Sequence, residues 1–507
     1  MIHSSHRILF NTMAMYLKTI VSICVGLFTT RYILEALGLD GFGIFGLVGS
    51  VIGLIAFLNV TMAQATQRFL SFHRKRSDLN SVFTASVILH FAMGIAVVVL
   101  LEIGGFLFLH TLNIAPDRMD MVYFIFHCVT TTTLFSIIST PYQALINAHE
   151  DMSFLAAISI IEVFAKLGIA IFLFITPYDR LGTYAVALMV LAMLMLIVQG
   201  IFCKVRYPKV IFSSQSIDKA LAVKMLAFSG WNLFEIICGI LRTQGMPVLV
   251  NLFFGTAMNA VFSLASQVTG QVSTFSITLS QASAPQIVSG MADKNFDSPK
   301  MLAVSSCKIQ LFLVSLLGIP LILNIGYVLL VWLKQVPEYL PIFCCLAIAN
   351  EMMLNLSRGL QSLIEGRGYI RGFKITMGFS HFIPMPIAYI FLKLGYSPYS
   401  IYIALLTLPV FANISRIYFA HRHVALSIPY FIKEIFKVLT VVLITFFCTW
   451  LAVSLLATSN WPLVTLLIST FLSTALMCSG LWFVLNAKER EFAKGVWGKV
   501  LGKITNP

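Results

Sequence analysis

Residues 182–203 read GTYAVALMVLAMLMLIVQGIFC, a run of 22 residues without a charged side chain. A helix that crosses a bilayer needs about 20 mostly apolar residues, so this stretch is long enough to span a membrane. Similar runs recur along the whole chain of 507 residues. The predicted spans lie at 9–33, 43–66, 81–109, 119–146, 152–175, 182–203, 225–253, 257–285, 300–332, 339–363, 372–393, 398–420, 434–456 and 462–485. We therefore predict an all-α polytopic membrane protein with about 14 transmembrane helices.

The composition excludes a soluble globular protein. Only 11% of the residues are Asp, Glu, Lys or Arg and 59% are hydrophobic, whereas a soluble domain carries roughly 25% charged residues. The 34 basic and 20 acidic side chains give a net charge of +14. Nucleic-acid binding would require these basic residues to form a patch on a polar domain, and no stretch of the sequence is long and polar enough to form one. We predict no nucleic-acid partner.

The basic residues are distributed unevenly between the two sides of the predicted membrane. If the N-terminus is cytoplasmic, the connections and tails on that side hold 25 of the 34 Lys and Arg residues. The opposite side holds Arg31, Arg118, Arg180, Lys334 and Lys393. Because cytoplasmic loops carry the excess of positive charge in membrane proteins, we predict that both termini are cytoplasmic.

An internal repeat relates the first and seventh spans. Duplicated halves are common in transporters, and a single offset of 217 residues brings several positions of these spans into register. The matched positions are Leu37-Gly38 with Phe254-Gly255, Ile44-Phe45 with Val261-Phe262, Leu47 with Leu264 and Lys18 with Glu235. Two apolar segments also align at a few Leu and Gly positions by chance, so the repeat is a hypothesis at this point.

The repeat predicts two six-helix lobes in the same orientation, followed by two further helices. The longest polar and basic connection would join the lobes as a cytoplasmic linker. The predicted parts are an N-terminal lobe at 1–203 (spans 1–6), the linker at 204–224, a C-terminal lobe at 225–420 (spans 7–12), two additional helices at 434–485 and a cytoplasmic tail at 486–507.

Charged residues inside the spans mark the candidate functional site, because each costs about 3 kcal/mol at the bilayer centre unless it is paired or hydrated. Three acid–base pairs share a helix face: Glu162 with Lys166, Glu235 with Arg242, and Glu351 with Arg358. Lys18 has no acid on its own span. The pairs are either salt bridges that hold the bundle together or functional groups. For Lys18 and Arg242, on spans matched by the repeat, we predict a functional role in a central cavity.

Two spans carry stripes of small polar residues at helical spacing. Such stripes also pack helices together, but beside Lys18 and Arg242 they favour a wet cavity for a polar, anionic cargo. The fourth span contains Thr130–Thr133, Ser136, Ser139 and Thr140, and the eighth contains Ser263, Ser266, Gln267, Gly270, Ser273, Thr274 and Gln281.

Motifs of enzymes and cofactor sites do not explain the chain. The glycines at 41, 43 and 46 match GxGxxG, but they lie between two membrane spans and follow no strand. No GxxxxGK[ST], HExxH or GxSxG motif occurs, and the nine cysteines show no CxxC spacing. We predict a transporter rather than an enzyme, with no cofactor and no metal.

Short segments in a fixed order carry a family resemblance. They are GIFGLVGS (43–50), TPYQALINAHEDM (140–152), SIIEV (159–163), FSGWN (228–232), NLFFG (251–255) and APQI (284–287). Together they resemble the polysaccharide transporter (O-antigen flippase) family of the multidrug/oligosaccharidyl-lipid/polysaccharide exporter superfamily. The similarity covers most of the first twelve spans.

This resemblance implies a flippase that moves an undecaprenyl-diphosphate-linked oligosaccharide, such as an O-antigen unit, across the bacterial inner membrane by alternating access. The substrate-binding candidates are Lys18, Arg31, Arg242, Arg358, Gln267 and Gln281, and the ion-coupling candidates are Glu162, Lys166 and Glu235. Arg31 is alternatively an interfacial anchor. The last two helices either face lipid or flank a groove for the lipid tail. The implied partners are membrane lipids and the polysaccharide polymerase and ligase machinery.

Two rival functions are open at this stage. A cation-coupled multidrug or small-molecule exporter of the same superfamily would require an intramembrane carboxylate without a basic neighbour, whereas three of the acids share a helix face with a basic residue. A membrane-embedded polymerase or ligase of sugar chains would require a large outer loop, and the longest predicted outer connection has only about ten residues.

Overall fold

The computed structural model describes residues 2–73, 79–149, 151–208, 210, 230–291, 296–367, 370–456, 462–485 and 490. Within these ranges the regular structure is helical and no strand occurs. The helices are α1 (Ile2–Gly53), α2 (Ala56–His73), α3 (Leu79–Phe108), α4 (Met119–Ala148), α5 (Met152–Phe172), α6 (Arg180–Arg206), α7 (Gly230–Gly290), α8 (Asp297–Leu323), α9 (Ile325–Leu333), α10 (Leu340–Leu354), α11 (Leu360–Arg367), α12 (Ile370–Phe382), α13 (Pro384–Lys393), α14 (Ser400–Leu405), α15 (Thr407–Val424), α16 (Ile428–Leu456) and α17 (Pro462–Val484).

The helices confirm the all-α polytopic fold. Eleven helical stretches of the described chain are long and apolar enough to cross a membrane. Two of them, Lys18–Gly53 and Phe234–Ser280, each include parts of two predicted spans, and the tenth predicted span contains the shorter apolar helix Leu340–Leu354. The second predicted span is divided between α1 and α2 at residues 54–55, and residues 225–229 of the seventh lie outside the described chain.

Single glycines join consecutive helices at the two places where predicted spans merge. The backbone leaves the helical conformation at Gly38 (φ 70°, ψ 175°) and at Gly255 (φ 81°, ψ −173°). Only glycine adopts this region without strain. The two positions are 217 residues apart, which is the offset of the sequence repeat. The glycine pattern at 41, 43 and 46 lies in the helix after Gly38 rather than in a loop.

The predicted spans 9 to 12 are each interrupted, which the sequence analysis did not anticipate. The breaks fall at Asn324, at 355–359, at Ile383 and at Leu406. Two of them adjoin a proline: Pro384 follows Ile383 directly, and Pro409 lies three residues after Leu406. A proline has no amide N–H and its ring displaces the preceding turn, so the helix loses hydrogen bonds there.

The chain forms two units, Met1–Ser263 and Leu264–Pro507. In the first unit α4 packs against α2, α3 and α6, and α1 packs against α5. The first part of α7 belongs to this unit because it is hydrogen-bonded there. The lobe boundaries at 1–203 and 225–420 stay a prediction, and most of the linker and tail lies outside the described residues.

Hydrogen bonds attach the first part of α7 to α1 and to the segment before α4. The Thr256 hydroxyl donates to Asp40 Oδ1 (2.9 Å) and the Asn259 amide donates to the Gly43 carbonyl (3.0 Å). Asn251 accepts from the backbone N–H of Asn113 (3.1 Å). A Cβ atom at Gly43 would lie only 2.1 Å from the Thr256 carbonyl oxygen, so this close approach requires glycine.

The turn between α4 and α5 is tied to the end of α6. The Tyr207 hydroxyl donates to Asp151 Oδ2 (2.7 Å), and Arg206 Nε lies 3.5 Å from the same oxygen. Burial, together with this hydrogen bond, raises the pKa of Tyr207. The hydroxyl therefore keeps its proton and remains a donor at physiological pH.

In the second unit, α16 and α17 pack on α8 through an apolar cluster and a buried ion pair. Lys308 Nζ lies 2.9 Å from Glu434 Oε2, and only 1% and 4% of these side chains are exposed. Lys437 contacts the other oxygen of Glu434. The two C-terminal helices are therefore an integral part of this unit.

Candidate functional site

Four of the predicted site residues lie in the first unit. Lys18 and Arg31 lie on α1, and Glu235 and Arg242 lie on the first part of α7. All four side chains are half-buried. Lys18 forms no hydrogen bond or ion pair with the described part of the chain, whereas the other three have polar or ring contacts. Their role in binding a cargo stays a prediction.

The remaining substrate-binding candidates lie in the second unit. Gln267 lies on α7 and is half-buried, while the side chain of Gln281 lies outside the described residues. Arg358 Nη1 donates to Glu351 Oε1 at 3.0 Å. The pair expected at this spacing therefore forms, although α10 ends at Leu354 and the two residues are not on one continuous helix.

A polar network surrounds the break between α10 and α11. Asn355 accepts from the hydroxyl of Ser276, and its amide donates to Glu351. On α15, Asn413 donates to the Met353 carbonyl (2.8 Å) and Arg416 donates to the Leu354 carbonyl (3.1 Å). The side chains of α15 thus satisfy carbonyl groups that the end of α10 leaves without a helical partner. Asn355, Asn413 and Arg416 were not identified from the sequence.

A polar cavity of about 300 Å³ lies between α4, α5 and α6 in the first unit. Lys166 Nζ lies 2.6 Å from Glu162 Oε1, which confirms the i,i+4 contact expected from the sequence. The cavity brings this pair together with part of the polar stripe of α4. Its polar lining consists of Thr132, Ser136, Ser139, Gln143, Glu162, Lys166 and Gln199.

Gln143 and Gln199 are polar members of this cavity that the sequence analysis did not identify, and Gln199 is the buried one. Only 6% of the residue is exposed, and its Oε1 has no hydrogen-bond partner within the described ranges. A single polar residue on an otherwise apolar helix gives little signal, because the sequence does not show which way the residue faces. Position 199 is about one helical turn from Met195, on the same face of α6.

Other titratable groups form local pairs in the membrane-spanning helices of the first unit. His127 Nδ1 lies 3.0 Å from Glu102 Oε1 between α3 and α4. His90 is buried on α3, with its Nδ1 2.8 Å from the Ser86 carbonyl oxygen. Neither histidine was identified from the sequence.

The described residues form no recognisable metal-binding site. No group of three or more His, Cys, Asp or Glu side chains there lies close enough to hold a metal ion. The cysteine thiols are all unbridged, and Cys128, Cys203, Cys238, Cys307 and Cys344 are buried.

The comparisons with known proteins identify the fold but no family. No protein-family model matches the chain, and no curated protein matches its sequence. Among solved structures it is similar to the lipid II flippase MurJ in an inward closed conformation (14% identity, TM-score 0.63), with 94% of this chain and 99% of that chain covered.

Multidrug transporters of the MATE family, within the MOP superfamily, are similar as well. An inward-facing structure has 14% identity and a TM-score of 0.62, with 80% of this chain and 95% of that chain covered. An outward-facing structure has 11% identity and a TM-score of 0.56, with 82% and 96% covered. The chain therefore has the fold of MOP-superfamily transporters.

The two kinds of structure differ in how much of this chain they match. The MurJ match extends over 12 percentage points more of the 507 residues than the outward-facing MATE match, or about 60 residues.

Proposed function

We propose that this protein is a lipid flippase whose cargo is an undecaprenyl-diphosphate-linked oligosaccharide, such as an O-antigen unit. The observation that supports the proposal is the match to the MurJ structure, which covers 94% of this chain, whereas the outward-facing MATE structure covers 82%. The chain also carries the C-terminal helix pair α16 and α17. That pair is buried against α8 through Lys308 and Glu434, so it belongs to the working fold.

The chemistry of the cargo agrees with the polar residues in the spans. A diphosphate requires cationic partners, and Lys18, Arg31 and Arg242 supply them in the first unit and Arg358 in the second. Gln267 adds an uncharged hydrogen-bonding group in the second unit. Gln281 completes the proposed set. The exposed apolar surface of α16 and α17 is suited to contact with lipid, and a lipid tail is the part of the cargo that would use it.

The proposed mechanism is alternating access in the bacterial inner membrane. Lys18 and Arg242 hold the diphosphate while the lipid tail stays in the bilayer, and both termini are cytoplasmic. Glu235, Glu162 and Lys166 are the candidates for coupling to an ion gradient. The polysaccharide polymerase and ligase machinery would receive the exported unit.

A multidrug or small-molecule exporter is the second candidate, because MATE transporters share the fold at similar TM-scores. The paired state of Glu162 with Lys166 and of Glu351 with Arg358 favours the flippase. A cationic drug would require a carboxylate that is not already neutralised by a neighbouring base.

Deletion of the gene tests the proposal. We expect the lipid-linked oligosaccharide to accumulate on the inner leaflet while polysaccharide disappears from the cell surface, and the wild-type gene should reverse both effects. Drug susceptibility is measured in the same strains. Unchanged polysaccharide together with increased drug susceptibility would overturn the flippase and favour the exporter.

A further inference from the structure

The cavity between α4, α5 and α6 is large enough for a small molecule. Its volume of about 300 Å³ is at the lower end of the range for ligand pockets and exceeds what a single ion needs. It lies within the first unit and is formed by three membrane-spanning helices. The side chains of Ser136 and Gln143 are partly exposed there.

The charges that line the cavity cancel. Lys166 Nζ lies 2.6 Å from Glu162 Oε1, and the other lining residues are uncharged. A lone cation would find the carboxylate occupied by the ammonium group, and a lone anion would find the ammonium group occupied by the carboxylate. Either ion would meet a group of its own charge sign next to its partner, so the electrostatics favour a ligand without net charge.

The lining offers both donors and acceptors to such a ligand. Gln199 Oε1 is a buried acceptor without a partner in the described part of the chain. Lys166 has two N–H donors beyond the one that contacts Glu162. The Thr132 hydroxyl donates to the Cys128 carbonyl (2.9 Å), so that its oxygen remains an acceptor. Hydroxyl groups match this mixture because each one both donates and accepts.

The opposite wall of the cavity is apolar. It consists of Leu188, Leu191, Ala192 and Met195, all on α6. A sugar ring has hydroxyl groups at its edge and C–H groups on its faces. It would therefore bury its apolar face on α6 while its hydroxyls contact α4 and α5, an arrangement that water or an ion would not exploit.

We infer that this cavity is a carbohydrate subsite that binds an uncharged sugar residue. The inference rests on the proposed function in so far as the sugar belongs to the exported cargo. Glu162 and Lys166 act there as a zwitterionic pair that hydrogen-bonds the sugar hydroxyls.

Protection from alkylation tests binding directly. The full-length Ser136→Cys variant is purified in detergent and treated with N-ethylmaleimide, and alkylation at position 136 is read by peptide mass spectrometry. The competitors are free hexoses, 6-deoxyhexoses and N-acetylhexosamines, compared with sodium chloride and sodium phosphate. The exposed native thiols Cys24, Cys448 and Cys478 are internal controls.

We expect at least one neutral sugar to slow alkylation at position 136 about tenfold near saturation, as mass action requires of an occupied site, while the native thiols react unchanged. Protection by sodium or phosphate but by no sugar would overturn the inference in favour of an ion site. Alkylation that no sugar slows would overturn it as well.

Filling the cavity provides a second, cellular measurement. Ser136→Leu should lower surface polysaccharide at least several-fold in the deletion strain at equal protein level. Ala157→Leu is the control, because Ala157 is exposed on α5 and does not line the cavity. Full export by Ser136→Leu, with no sugar protection, would overturn the subsite alone. A deletion strain with normal polysaccharide would overturn the proposed function, while sugar protection of position 136 would still establish the subsite.

Discussion

Charged side chains in the spans are held in two different ways. Lys308 is buried and contacts Glu434, which also contacts Lys437. Lys18 is half-buried and has no ion pair within the described chain. A buried charge that is fully paired serves packing between helices, whereas a charge with spare donors inside a membrane is a candidate for binding a ligand. Stability and transport should therefore respond to different residues.

Removal of Glu434 should destabilise the second unit. Glu434→Leu leaves the buried Lys308 without its carboxylate, and we expect a loss of about 3–5 kcal/mol in the free energy of unfolding. Thermal unfolding of the purified protein measures this loss. Lys437→Met is the control, because Lys437 is 37% exposed and should cost little.

The double variant Lys308→Met/Glu434→Leu separates the charge effect from packing. It removes both buried charges and should recover most of the stability lost in Glu434→Leu. A double variant as unstable as the single one would show that the ion pair is not the cause.

Neutralising Arg242 should abolish export without unfolding the protein. Arg242→Gln removes a cation that we propose to hold the diphosphate, and a charge-assisted contact of this kind contributes about 1.5–3 kcal/mol. Surface polysaccharide and membrane-inserted protein are measured in the complemented deletion strain. Arg118→Gln makes the same change at an exposed position before α4 and should export normally. Normal export by Arg242→Gln would contradict the assigned role.

At the scale of helices, glycine and proline decide where the spans of this protein bend. Gly38 and Gly255 join consecutive helices through a conformation that other residues avoid. Pro384 and Pro409 accompany two breaks in the second unit. At the break at 355–359, which contains no proline, the side chains of α15 hydrogen-bond the Met353 and Leu354 carbonyls, so these groups are satisfied without water inside the membrane.

Alanine at either helix junction should be destabilising through backbone strain alone. A Cβ atom at Gly38 meets nothing within 4 Å, and at Gly255 it meets only an ordinary contact of 3.8 Å with Asn113. We expect each of Gly38→Ala and Gly255→Ala to cost about 1–3 kcal/mol, because both φ angles are positive. Thermal unfolding measures the cost.

Gly26→Ala is the control for this pair. Gly26 lies in α1 with helical geometry and open space around its Cα. Alanine there should be neutral or stabilise the helix by up to about 1 kcal/mol. Equal stability of all three variants would show that the junctions do not require glycine.

At the scale of the whole molecule, the distribution of Lys and Arg predicts the orientation in the membrane. We expect green fluorescent protein fused after Pro507 to fluoresce. We expect alkaline phosphatase fused at Gln335, between α9 and α10, to be active. The excess of basic residues on one side is the physical reason. The controls exchange the reporters: alkaline phosphatase after Pro507 and green fluorescent protein at Gln335 should both be inactive. The reverse pattern of activities would contradict an orientation with both termini cytoplasmic.

The sequence alone was sufficient for the fold class and for contacts within a helix. Apolar runs identify spans because insertion into a bilayer depends on local composition, and the 217-residue offset identified Gly38 and Gly255 as equivalent positions. The Glu162–Lys166 contact was also predictable, because helical geometry places residues four apart on one face.

Only the tertiary structure decided which polar groups meet between helices. Lys308 and Glu434 are 126 residues apart in the chain, and Gln199 comes from a different helix than Glu162 and Ser136. The sequence predicted which helix carries each of these residues. Their neighbours depend on how the helices pack and where prolines interrupt them, and this is set by contacts summed over the whole unit rather than by any local pattern.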